Sequence, residues 1–108
     1  NGLAVRVPVA VGSLTDLVAE LQKERSVEEI NDAFKRASNT TMKGIIEYSE
    51  EELVSSDVIG NSHSCVIDAL STQVDGNLVK VLGWYDNEFG YSNRVVDVAF
   101  MLKKLAFK

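Results

Sequence analysis

The run from Trp84 to Arg94 constrains the fold of this 108-residue chain most, because it joins two kinds of element. Before it, residues 78–83 are mainly apolar and include two valines, which is typical of a strand. After it, apolar residues recur at helical spacing: Val95, Val96, Ala99, Phe100, Leu102 and Leu105. The sequence therefore predicts a strand followed by a helix over residues 88–105. Free N–H groups at the start of that helix suit anionic or amide-bearing ligands.

The rest of the chain consists mostly of short segments that read as strands. Apolar or alternating patterns predict strands over residues 3–9, 43–48, 53–57, 64–73 and 77–85. Val74, Asp75 and Gly76 lie between the last two segments and predict a hairpin loop. Pro8 indicates that the first strand lies at an edge or ends there.

Residues 13–24 fit two secondary structures. Leu17, Val18 and Leu21 lie at helical spacing, whereas Leu17, Ala19 and Leu21 alternate with polar neighbours as in a half-buried strand. Propensity alone favours the helix.

A further helix is predicted over residues 26–38, because Ser26 and Glu29 form a capping-box pattern ahead of helically spaced apolar residues. Asn39 is typical of a left-handed residue that ends a helix. If residues 13–24 form a strand, the order is β-β-α-β-β-β-β-α. This order predicts an α+β fold in which helices cover one face of a largely antiparallel sheet.

Composition excludes several classes of function. A net charge of −5 argues against a nucleic-acid-binding surface, which needs a basic face. No apolar run approaches the ~20 residues that span a bilayer. The single cysteine is compatible with a reducing cytoplasm. Glu50, Glu51 and Glu52 are consecutive, so their side chains point apart and we expect no metal site.

Arg6 and Asn87 are the first candidates for binding. Arg6 lies between two valines in an apolar segment and needs an anionic partner, which can be a phosphate or a local carboxylate. On the residues alone, the carboxylate is favoured. Asn87 can act as a helix N-cap or can pair with the amide of a ligand.

Other polar side chains allow a role in a site or an ordinary structural role. Tyr85 and Tyr91 flank the turn as half-buried aromatics, and Glu88 suits the first turn of a helix. His63 and Cys65 are two residues apart, as a base and a nucleophile on one strand face would be. A buried, unreactive thiol is the more common case.

The run from Trp84 to Arg94 resembles the C-terminal signature of phosphorylating glyceraldehyde-3-phosphate dehydrogenases. Shorter segments follow the same family in order: residues 3–8, 14–17, 43–46, 54–57 and 94–97. The chain has neither the Gly-x-Gly-x-x-Gly turn of a dinucleotide-binding domain nor the family's Ser-Cys-Thr-Thr-Asn segment. Residues 1–108 are therefore expected to form a partial catalytic domain, from a truncated or cleaved polypeptide, with the dinucleotide-binding domain absent.

The resemblance implies roles for particular residues. It places Arg6 at the family's contact with substrate or inorganic phosphate and Asn87 at its contact with nicotinamide. Tyr85, Glu88 and Tyr91 would line the site. It also implies a strand over residues 13–24. No catalytic residue is expected in this chain, since Cys65 does not match the segment of the nucleophile.

The implied activity of the parent protein is the NAD-dependent oxidation and phosphorylation of glyceraldehyde 3-phosphate to 1,3-bisphosphoglycerate in glycolysis, with NADP left open as cofactor. A cytoplasmic homotetramer is implied, without nucleic-acid or membrane partners, and the chain alone is expected to be inactive. Two alternatives remain: a piece of an erythrose-4-phosphate dehydrogenase, and a non-enzymatic module that self-associates through an exposed apolar sheet face.

Overall fold

The computed structural model describes residues 1–106 and has the predicted α+β class. In chain order the elements are β1 (Ser13–Glu20), α1 (Val27–Asn39), β2 (Ile46–Ser49), a 3-10 helix (Ser55–Val58), β3 (Cys65–Asp75), β4 (Leu78–Tyr85) and α2 (Phe89–Ala106). The four strands form one sheet in the order β1-β4-β3-β2. β1 and β3 pair antiparallel to β4, and β2 pairs parallel to β3, so the sheet is largely antiparallel.

The core of the molecule lies between the central strands and α1. Ile67, Val79 and Val81 form a buried cluster on β3 and β4. Ile30 and Phe34, one helical turn apart on α1, pack against it. The predicted hairpin is confirmed, but its loop is shorter than predicted, because Val74 and Asp75 belong to β3 and only Gly76 and Asn77 form the turn. Gly76 takes the left-handed conformation there, at φ 59°.

The capping box of α1 forms as predicted. The Glu29 N–H donates to Ser26 Oγ at 3.2 Å, and the Ser26 N–H donates to Glu29 Oε2 at 2.9 Å. The left-handed stop at Asn39 is wrong, because Asn39 Nδ2 donates to the Lys35 carbonyl at 2.8 Å and no non-glycine residue of 1–106 has positive φ. Instead, Gly44 supplies a left-handed turn before β2, at φ 76°.

Two predicted strands are wrong, and one ambiguous segment is resolved. Residues 3–9 are exposed and pair with no strand of the described chain, although their apolar pattern fits one. Residues 53–57 lead into the 3-10 helix, where the Asp57 N–H donates to the Val54 carbonyl at 3.0 Å. Residues 13–20 form β1, which confirms the strand rather than the helix.

The two helices differ in how they pack. α1 covers β2 and β3, whereas the side chains of α2 are exposed from Val95 to Ala106. α2 therefore contacts the rest of the described chain mainly through its first turns. No helix within residues 1–106 has the length and apolar character needed to cross a membrane.

Candidate functional site

Asp86 organises the junction between β4 and α2. Its Oδ1 accepts hydrogen bonds from the N–H groups of Glu88 at 2.9 Å and Phe89 at 2.8 Å. Its Oδ2 accepts from the Gly60 N–H at 2.9 Å, and the residue is only 6% exposed. The N–H donors of Phe89, Gly60 and Glu88 lower the pKa of Asp86, because they stabilise its charged form. Asp86, rather than Asn87, therefore caps α2.

Asn87 joins the N-terminal segment to this junction. Its Oδ1 accepts a hydrogen bond from the Gly12 N–H at 3.2 Å, across 75 positions of sequence. Gly12 has φ 101°, and a Cβ there would lie 2.7 Å from the Ser55 carbonyl oxygen. Only glycine can make this approach without strain. Residues 1–12, which carry Arg6, thus end against Asn87.

The first turns of α2 are fixed by two further contacts. Gly90 is buried, and a Cβ there would lie 2.6 Å from the His63 carbonyl oxygen. Arg94 Nη1 donates to the Gly44 carbonyl at 2.9 Å, and its Nη2 pairs with Asp97 at 2.9 Å. The contacts of Gly90 with His63 and of Arg94 with Gly44 thus join the start of α2 to two earlier segments of the chain.

Arg6 lies in the exposed N-terminal segment. Within residues 1–106 its guanidinium forms no ion pair, so the alternative of a structural salt bridge to a local carboxylate is not realised there. No hydrogen bond joins Arg6 to the junction in the described chain. The structure therefore brings the segment to Asn87 but leaves the Arg6 side chain in solvent.

The three residues expected to line the site lie around the junction between β4 and α2. Tyr85 is half-buried at the end of β4, opposite Ser13 of β1. Glu88 is exposed just before α2. Tyr91 is 74% exposed in the first turn of α2, so the expected half-burial is confirmed for Tyr85 and wrong for Tyr91. They are close in the fold because the turn is short.

His63 and Cys65 do not form a nucleophile and base. His63 Nδ1 lies 2.9 Å from Asn61 Oδ1 and 3.1 Å from Glu47 Oε2, and no hydrogen bond links it to Cys65 in the described residues. Cys65 is half-buried against Gly83, and burial raises the pKa of its thiol. A protonated, partly enclosed thiol is a poor nucleophile.

Two cavities of the described residues lie away from this junction. They are surface cavities of about 320 and 450 Å³, lie near Glu47 and are lined by neither Arg6 nor Asn87.

Sequence reasoning missed Asp86 and Gly12. The placing of Asp86 three residues before Phe89 is an N-cap signal that could have been used. No local pattern indicates the contacts of Asp86 with Gly60 or of Gly12 with Asn87, because their partners are distant in sequence.

Comparison with known proteins gives consistent results. The family model described as glyceraldehyde 3-phosphate dehydrogenase, C-terminal domain, matches residues 1–87. Glyceraldehyde-3-phosphate dehydrogenase 1 of Bacillus cereus is 65% identical over 100 residues, which are 92% of this chain and 30% of that protein. Glyceraldehyde-3-phosphate dehydrogenase of Mycobacterium avium is 50% identical over 104 residues, 96% of this chain and 31% of that protein. The chain thus spans about 30% of the length of these relatives.

Proposed function

The chain belongs to the family of the glyceraldehyde-3-phosphate dehydrogenase C-terminal domain, and we propose that it supplies part of the catalytic domain of a phosphorylating, NAD-dependent enzyme. The proposed reaction converts glyceraldehyde 3-phosphate, inorganic phosphate and NAD to 1,3-bisphosphoglycerate and NADH. When bound, NAD would supply the hydride acceptor. NADP remains an open alternative, because the residues that would distinguish the two ribose groups belong to the dinucleotide-binding domain.

The observation that carries this proposal is the hydrogen bonding of the Asn87 side-chain amide. The Gly12 N–H donates to the Asn87 oxygen, and the Asn87 Nδ2 group donates no hydrogen bond within residues 1–106. The side chain is exposed beside a helix start. An N–H₂ donor in this place suits the carbonyl oxygen of a nicotinamide carboxamide, so Asn87 would fix the orientation of the ring.

Arg6 is the proposed phosphate contact. Its guanidinium is a planar fork of donors that matches phosphate oxygens. It is exposed and makes no ion pair in the described chain, so no carboxylate there competes with an incoming anion. Tyr85, Glu88 and Tyr91 would line the same site.

The remaining chemistry would come from outside this chain. Cys65 and His63 are not placed as nucleophile and base, and the chain has no dinucleotide-binding turn. We therefore expect the 108 residues alone to be inactive. The exposed apolar side chains of α2 and β1 support assembly with other parts of the polypeptide or with further copies in a homotetramer. A cytoplasmic glycolytic role accords with this proposal.

The test is the appearance of NADH in a full-length protein that contains this C-terminal sequence. We expect NADH to form from glyceraldehyde 3-phosphate and NAD only when inorganic phosphate is present, and the isolated chain to form none. A higher kcat/KM with erythrose 4-phosphate would favour the alternative substrate. NADH formation by the isolated chain, or turnover of neither sugar phosphate by the full-length protein, would contradict the proposal.

A further inference from the structure

Asp86 makes one contact more than a helix cap needs. Capping α2 uses only Oδ1, which accepts from the N–H groups of Glu88 and Phe89. Oδ2 reaches a separate segment and accepts from the Gly60 N–H, 26 positions earlier in the sequence. The carboxylate is buried, so all three hydrogen bonds are shielded from competing water.

The segment held by Oδ2 also contacts the partner of Asn87. Gly60 lies two residues after the 3-10 helix, whose first residue, Ser55, packs against Gly12 through its carbonyl oxygen. Gly12 in turn donates to Asn87 Oδ1. Asp86 and its neighbour Asn87 are therefore linked by two contacts with other segments. Asp86 binds Gly60 just after the 3-10 helix, and Asn87 binds Gly12, which packs against the first residue of the same helix.

We propose that Asp86 is a positioning residue for the cofactor contact. Asp86 fixes the turn that contains Asn87 by accepting from the N–H groups of Glu88 and Phe89. Through Gly60 and the 3-10 helix it also places the Gly12 N–H that donates to the Asn87 oxygen. The Asn87 Nδ2 group is thereby kept available to the nicotinamide carboxamide. This inference rests on the proposed function, which makes Asn87 the nicotinamide contact.

Two ligands separate positioning from general stability. NAD and ADP-ribose share the adenosine diphosphate ribose portion, and only NAD carries the carboxamide. A change confined to the Asn87 amide should weaken NAD and leave ADP-ribose unchanged. Loss of folding or of the helix would weaken both ligands, so the ratio of the two dissociation constants reports the positioning.

Two substitutions at Asp86 remove the second contact in different ways. Asp86→Ser keeps an oxygen that can cap α2 but is too short to reach Gly60 as well. Asp86→Asn keeps the length but replaces one acceptor with an N–H₂ group, which cannot accept from Gly60. Glu29→Ser is the matched control, since it also removes a carboxylate bond to a backbone N–H, that of Ser26 at 2.9 Å, but at the start of α1 and away from the 3-10 helix and Asn87.

The experiment is calorimetric titration of a full-length protein containing this sequence with NAD and with ADP-ribose. Loss of one hydrogen bond, about 0.5–1.5 kcal/mol, corresponds to a fall of roughly 2- to 12-fold in NAD affinity. We expect that selective fall for Asn87→Ala, Asp86→Ser and Asp86→Asn, and an unchanged ratio for Glu29→Ser. Combining Asp86→Asn with Asn87→Ala should lower NAD affinity no further than Asn87→Ala alone.

The outcomes distinguish the two proposals. If Asn87→Ala weakens NAD selectively while both Asp86 variants leave the ratio unchanged, the positioning role is wrong and the proposed function stands. If Asn87→Ala itself leaves the ratio unchanged, the proposed contact between Asn87 and nicotinamide is wrong. The positioning role of Asp86, which depends on that contact, is then wrong as well. If both Asp86 variants weaken the binding of NAD and of ADP-ribose equally, Asp86 stabilises the fold and does not position Asn87.

Discussion

At the scale of single residues, the environment of each side chain decides its chemistry. Asp86 is buried and Cys65 is half-buried, yet their pKa values shift in opposite directions. Three backbone N–H groups stabilise the Asp86 carboxylate and lower its pKa. The Cys65 thiolate has no such donors to offset burial, which raises its pKa. The first group remains charged, and the second remains protonated, at neutral pH.

Asp86 should make folding sensitive to acid. Because its pKa is lowered on folding, its contribution to stability is complete above the ordinary carboxyl pKa of about 3.9 and is lost as pH falls through the lowered value. Acid unfolding can be followed by the fluorescence of Trp84, the single tryptophan. At neutral pH, Asp86→Asn should have a lower free energy of unfolding than the unmodified chain. As the pH falls below about 3.9, that free energy should decrease less for Asp86→Asn than for the unmodified chain. Equal acid sensitivity of the two would contradict this account.

Cys65 should react slowly with thiol reagents. Its raised pKa and partial burial leave little accessible thiolate at pH 7, so modification should be slow in the folded chain and fast in denaturant. The rate should rise as pH passes above the ordinary thiol pKa of about 8.5. Rapid, stoichiometric modification of the folded chain at neutral pH would show that the thiol is activated.

At the scale of elements, the sequence predicted a helix or strand correctly where the contacts that form it lie within a few residues of one another. The capping box of Ser26 and Glu29 fixes the start of α1, and the paired strands β3 and β4 follow from their apolar patterns and the Gly76 turn. Residues 3–9 show the limit. Their pattern fits a strand, but a strand needs a neighbour, and the described chain provides none.

The same reasoning explains which parts of the site could be predicted. The proposed roles of Arg6 and Asn87 come from the family resemblance, because the residues alone favoured a local carboxylate partner for Arg6 and allowed a helix N-cap for Asn87. Asp86 acts through Gly60, and Gly12 acts through Asn87, so both roles depend on tertiary contacts that no window of sequence contains. The capping function of Asp86 is the only part of its role that is locally encoded.

The capping box gives a prediction for α1. Ser26→Ala removes the acceptor for the Glu29 N–H and should lower the free energy of unfolding by about 0.5–2 kcal/mol. Ser38→Ala is the control in the same helix, where alanine has the higher helix propensity and the change should be much smaller. Urea unfolding followed by Trp84 fluorescence measures both. An equal effect of the two substitutions would mean that the cap does not stabilise α1.

At the scale of the whole molecule, much apolar surface remains uncovered. Val95, Val98, Leu102 and Leu105 recur along one side of α2 and are 52–69% exposed. Leu17 and Val18 of β1 are also more than half exposed. Exposed apolar surfaces of this kind are typical of interfaces in larger assemblies. This agrees with a chain that spans about 30% of the length of its relatives.

The isolated chain should therefore self-associate. Sedimentation should show an average mass that rises with concentration, because apolar side chains of α2 can bury one another. Leu102→Glu, at a position 60% exposed, should shift the equilibrium toward monomer without disturbing the sheet. Lys103→Gln, next to it, should leave association unchanged. A monomer at every concentration would contradict the assignment of α2 as an interface.

The central claim is that this chain supplies a phosphate contact through Arg6 to a phosphorylating dehydrogenase. The most direct measurement is the dependence of NADH formation on inorganic phosphate in a full-length protein containing this sequence. Arg6→Ala should lower kcat/KM for phosphate by an amount equivalent to about 1.5–3 kcal/mol, the value of hydrogen bonds to a charged group. Arg36→Ala, at an exposed position on α1, should leave it unchanged. Unchanged phosphate dependence in Arg6→Ala would contradict the claim.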